Sequence, residues 1–160
     1  MIPLAFRGQQ TQQRKWSEIK KLKYSMKLHE ELHDLYMLVC KLCVISIRNS
    51  WRLIIENPYS SQHYLTQYFP IRPKVIIPDR NLEGDYYRKP TQFFFVNCEP
   101  EQNVVFEPFE QLPLLIVNEN NNSVTEESQS RQVIRSLIHP TFADRFIKTY
   151  ILDKEGGLWM

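Results

Sequence analysis

An α/β fold is predicted for this chain from three observations: one long amphipathic helix, a continuous apolar run that stops on a proline, and an aromatic strand after it. The helix is expected over 25–48, where Leu28, Leu32, Leu35, Tyr36, Val39, Leu42 and Cys43 recur at the spacing of one helical face. Lys27, Glu30, Glu31, Asp34 and Lys41 take the other side. Next comes Trp51-Arg52-Leu53-Ile54-Ile55-Glu56-Asn57-Pro58-Tyr59. Its apolar residues are consecutive, which suits a strand of a parallel sheet buried on both faces. Pro58 lacks an amide hydrogen and pushes Asn57 out of helical geometry, so the strand, 51–56, is expected to end there.

A short helix is expected over 61–68 with Ser60 as its cap, then a strand over 74–77 and a polar loop over 78–90. Thr91-Gln92-Phe93-Phe94-Phe95-Val96-Asn97 has the composition of a strand, and 104–106 suggests a shorter one. Residues 118–130 are rich in Asn and Glu and read as a linker. A last helix is expected over 141–152, with Phe142, Phe146, Ile147, Tyr150 and Ile151 on its apolar face. The organisation is therefore a basic arm (1–24), an α/β region (25–117), the linker (118–130) and a helical segment of the same domain (131–160).

Composition excludes several classes. With 42% hydrophobic and 12% aromatic residues the chain is globular, not disordered. No apolar run approaches the ~20 residues of a membrane span, and 1–13 resembles neither a signal peptide nor an anchor. Three cysteines without framework spacing fit a reducing, cytoplasmic setting. The charges are segregated. Arg7, Arg14, Lys15, Lys20, Lys21, Lys23 and Lys27 face a single acid, Glu18, whereas no Lys or Arg lies between Lys89 and Arg131. Such an arm can meet phosphates through Lys20, Lys21 and Lys23, or be a solvated leader. The solvated leader is the more economical reading.

Metal and nucleophile chemistry have little support. His29, His33, Cys40 and Cys43 share one helix, but fourteen residues at 1.5 Å separate the first from the last by about 21 Å. No single zinc ion spans that. There is no G-x-S-x-G, and the four glycines (Gly8, Gly84, Gly156, Gly157) form neither a P-loop nor a dinucleotide fingerprint. What remains is Glu56-Asn57-Pro58, with Arg88-Lys89-Pro90-Thr91. A carboxylate and an amide at a strand end can hydrogen-bond a nucleobase edge, and a carboxylate accepts from cytosine N4. Arg88, Lys89 and Thr91 could hold phosphates. Taken alone, the same residues are better read as a strand end and a turn.

Three separated pieces resemble the second half of phage- and prophage-type DNA methyltransferases related to the cytosine-5 family. They are Leu53-Ile-Ile-Glu-Asn-Pro-Tyr59, Gly84-Asp-Tyr-Tyr-Arg-Lys-Pro-Thr91 and Arg135-Ser-Leu-Ile-His-Pro-Thr-Phe-Ala-Asp-Arg-Phe-Ile147. The resemblance implies part of a Rossmann-like methyltransferase sheet, its C-terminal half, with flanking helices and a C-terminal helix. It also implies S-adenosylmethionine as cofactor of the complete domain and double-stranded DNA as partner. Glu56 would grip a flipped cytosine and support protonation at its ring nitrogen, with Asn57 and Pro58 completing the motif. Arg88 and Lys89 would lie near the family's basic motif.

The chain departs from that pattern in lacking a Gly-rich cofactor loop, an acidic ribose-binding residue and a Pro-Cys nucleophile loop. A truncated or split protein, inactive alone, is the expectation, completed by a second half or by self-association. The rival readings are a degenerate amino-group DNA methyltransferase, through Asn57-Pro58-Tyr59, and a non-catalytic nucleic-acid-binding or interaction module.

Overall fold

The computed structural model describes residues 15–61, 63–109 and 137–153. Along the chain these form α1 (Glu18–Arg48), β1 (Leu53–Pro58), α2 (Tyr64–Tyr68), β2 (Val75–Ile77), a 3-10 turn (Arg80–Glu83), β3 (Thr91–Val96) and α3 (Pro140–Tyr150). The strands make one small antiparallel sheet in the order β1-β3-β2. The fold is thus of mixed helix and strand.

The predicted parallel sheet gives way here, and so does the placing of β1 at its centre. Among the described residues no parallel pairing is present, so the sheet is not the Rossmann-like one expected. β1 is an outer, half-buried strand running two residues further than expected, to Pro58. The proline is tolerated because an outer strand can leave one residue without a ladder donor. The fully buried strand is β3, all six residues of it. Both runs are continuously apolar, and periodicity alone cannot say which lies at the centre.

α1 starts seven residues before the expected point. Ser17 caps it by accepting the amide of Lys20 at 3.4 Å, and Glu18 supplies an acid to the first turn. Lys20, Lys21 and Lys23 are therefore helical. The C-terminal helix behaves as expected: His139 caps it through Nδ1 and Pro140 opens it. The possible strand at 104–106 is irregular, and just before it the amides of Glu101 and Asn103 bond to the carbonyls of Tyr150 and Thr149. The linker 118–130 lies outside the described residues.

The chain divides into two compact units, Met1–Lys74 with Phe93–Glu99, and Val75–Gln92 with Pro100–Met160. In the first, Cys43, Phe69, Phe94 and Val96 form a buried core against which Tyr36, Val39, Leu53, Ile55 and Leu65 pack. Phe69 meets Phe94 edge-on at 5.3 Å, and Tyr36 meets Tyr64 at 5.5 Å. The turn from α1 into β1 is clamped at one carbonyl. Trp51 O accepts from Ser46 Oγ at 2.7 Å and Asn97 Nδ2 at 3.1 Å, while Trp51 N donates to Ser46 O at 2.8 Å.

The second unit is built round a buried ion pair. Arg80 and Asp85, 1% and 0% exposed, pair side chain to side chain. Asp85 Oδ1 accepts the amides of Tyr86 at 2.6 Å and His139 at 3.4 Å, and Asp85 O accepts from Asn81 Nδ2 at 2.8 Å. The Arg80 guanidinium lies 4.7 Å over the Phe142 ring. Gly84 turns this loop at φ 91°, and a Cβ there would come within 2.8 Å of Thr141 Cγ2.

Candidate functional site

Glu56, Asn57 and Pro58 close β1 in the first unit. Successive strand residues point to opposite faces. Asn57 continues the half-buried row of Leu53 and Ile55, whereas Glu56 shares the other face with Ile54 and is exposed. The two side chains therefore do not converge on one ligand edge. Glu56 is exposed to solvent, and Asn57 is turned inward.

The partner of Asn57 is His63, which the sequence reading passed over. Asn57 Nδ2 lies 3.0 Å from His63 Nδ1, across the turn that links β1 to α2. Donation by the amide makes Nδ1 the acceptor and leaves the ring proton on Nε2. Burial pushes the His63 imidazole below its ordinary pKa, in keeping with a neutral ring. His63 also holds the N-cap position of α2, three residues after the expected Ser60, without a side-chain cap bond. A polar residue six positions after a strand-ending amide carries no pattern that would have singled it out.

Arg88, Lys89 and Thr91 belong to the second unit. Arg88 is 69% exposed and pairs with Asp79 at 3.5 Å, a surface pair that a polyanion can displace. Lys89 is half-buried, its amide tied to Tyr87 O at 2.9 Å. Thr91 cannot meet a nucleic acid as expected: it is fully buried and its hydroxyl donates to Lys89 O at 3.0 Å. Its work is to shape the turn that presents Lys89. On α1, Lys20 and Lys23 are exposed and Lys21 half-buried, and the Lys20 ammonium sits 4.4 Å over Trp16.

Two of the three pieces singled out in the sequence meet in space. Gly84, Asp85 and Tyr86 come from one, His139, Thr141 and Phe142 from the other, and the buried node described above joins them. Tyr86 packs edge-on against His139 at 4.6 Å. Their pattern thus encodes architecture within the unit.

Burial raises the pKa of both Cys43 and Cys98, which keeps them protonated. Cys40 and Cys43 are free, and among the described residues no three His, Cys, Asp or Glu side chains group as metal ligands. The turn from β1 to α2 contains no glycine. Among the described residues no helix is long and apolar enough to cross a membrane.

No protein-family model matches the chain, and neither the curated proteins nor the solved structures give a match.

Proposed function

We propose that this chain is the target-handling part of a DNA cytosine methyltransferase-like protein, inactive alone, whose cofactor and nucleophile loops are supplied by residues outside it. The observation that carries this reading is that β1 ends on Glu-Asn-Pro with Glu56 exposed, as the resemblance in sequence expects of a target-base site. In this reading the exposed Glu56 carboxylate accepts the exocyclic amine of a cytosine swung out of the duplex. Arg88 exchanges Asp79 for a phosphate, and Asn57, held by His63, fixes the strand end that carries Glu56. The setting is the reducing cytoplasm, and the partner is double-stranded DNA.

The test compares duplexes with a matched or a mismatched cytosine, since a mispaired base is easier to extrude. Tighter binding to the mismatched duplex, lost in Glu56→Gln, is expected. Equal binding to both, unmoved by Glu56→Gln, would remove the reading and leave a salt-sensitive DNA-binding module. Calorimetry with S-adenosylmethionine should give no heat for this chain by itself.

A further inference from the structure

α1 buries one apolar face in the core and leaves other apolar residues exposed, Leu35, Leu38, Leu42 and Ile45 among them. Among the described residues the core of the first unit draws on α1 from Tyr36 onward, through Tyr36, Val39, Cys40 and Cys43. A second stripe runs the length of the helix through Ile19, Leu22, Met26, Met37, Val44 and Ile47, which are 67, 65, 65, 40, 45 and 54% exposed. With His29 and His33 in the intervening places, and Cys40 where the stripe borders the core, it advances by steps of three or four, two fours in succession at His29, His33 and Met37. The mean step is near the 3.5 residues of a helix that packs along another helix. Scattered surface hydrophobes need no explanation, but a periodic stripe does. Its geometry asks for a straight helix of similar length.

We propose that the occupant is α1 of a second copy, lying antiparallel. The argument is charge complementarity. Lys23, Lys27, Glu30 and Asp34 are all solvent-facing and fall along a single flank of the stripe, within about 80° of one another around the helix. The opposite flank, through Leu32 and Tyr36, turns toward the core. In an antiparallel pair like flanks face each other. The register that sets Leu22 against Met37 sets Met26 against His33 of the other copy. It brings Lys23 within about 3 Å along the axis of Asp34, and Lys27 equally close to Glu30. The basic and acidic stretches then neutralise each other twice over, related by the two-fold axis. A parallel pair would instead set that charged flank against the opposite flank of the partner, which over that stretch carries Leu32 and Tyr36 and no charge to match it. The pairing also gives the first turns of α1 a reason to be helical, since an isolated helical stretch of that length is marginal in water.

The full chain should sediment as a dimer at micromolar concentration. Leu22→Glu with Met26→Glu should make it monomeric. Lys23→Glu with Lys27→Glu, and separately Glu30→Lys with Asp34→Lys, should each weaken dimerisation by about tenfold or more at low salt. Mixing the two charge-reversed chains should restore a dimer containing one of each. All four reversals in one chain should restore the homodimer, which also shows that the substituted helix folds. A wild-type chain that stays monomeric overturns the proposal. So does a dimer indifferent to both charge reversals, or one that forms only on duplex DNA. Retained dimer in Leu22→Glu/Met26→Glu, with loss on a change to the outer edge of β1, would place the contact on the sheet instead.

Discussion

At the scale of single residues, the most consequential group is the Asp85 carboxylate. It is wholly buried, paired with Arg80, and serves the amides of Tyr86 and His139. Removing one member of a buried pair strands the other. Asp85→Ala should therefore lower the unfolding free energy by about 3–5 kcal/mol in urea titrations. Adding Arg80→Met should recover part of that loss, because the stranded charge goes too. Gly84→Ala combines a positive φ with a Cβ set against Thr141, and should destabilise by about 1–3 kcal/mol. His63 gives a pH dependence. Its folded pKa lies below the ordinary imidazole value near 6.5, so the unfolded chain binds the proton more readily. Stability is complete above that value and falls as pH drops through it. His63→Gln should flatten the fall in melting temperature between about pH 7 and 5.

At the scale of elements, the α1–β1 corner is the best-determined turn. Ser46→Ala removes a buried hydroxyl from Trp51 O and should lose about 1 kcal/mol. Ser50, at φ 56°, is the reverse case: Ser50→Gly relieves a left-handed backbone and should be neutral or gain up to about 1 kcal/mol in the same titration. The body of α1 and the whole of α3 were legible because Leu28, Leu32, Val39 and Cys43, like Phe142 and Phe146, mark one helical face. The start of α1 was not, since the density of lysines after Ser17 hides an ordinary cap. Sheet order was not legible either. Leu53-Ile54-Ile55 and Phe93-Phe94-Phe95 look alike until the outer neighbour of each is known. Of the candidate site, Glu56 was legible as an acid near a strand end. Asn57–His63 was not, because a contact made across a turn leaves no period. Thr91 was misread because burial, not spacing, decides whether a threonine reaches a ligand.

At the scale of the whole molecule, exposure of Glu56 and Arg88 is what the proposed DNA reading needs, and their substitution should leave stability nearly unchanged. Glu56→Gln and Arg88→Ala should each shift the melting midpoint little while altering DNA binding differently. The first should affect preference between duplexes, the second overall affinity and its salt slope.

β3 has a further consequence once it is out of the fold. Thr91-Gln92-Phe93-Phe94-Phe95-Val96 is six residues with no charge, no proline and high strand propensity, the profile of a segment that stacks into fibrils. Native burial hides it completely. In a nascent or heat-unfolded chain only its borders protect it, and these are Lys89-Pro90 before and Glu99-Pro100 after. Charge and proline at both ends act as gatekeepers. Replacing Lys89, Pro90, Glu99 and Pro100 together should shorten the lag before thioflavin-positive aggregates form on heating. The chain thus keeps its most insoluble strand safe by two devices: burial while folded, and bracketing while not.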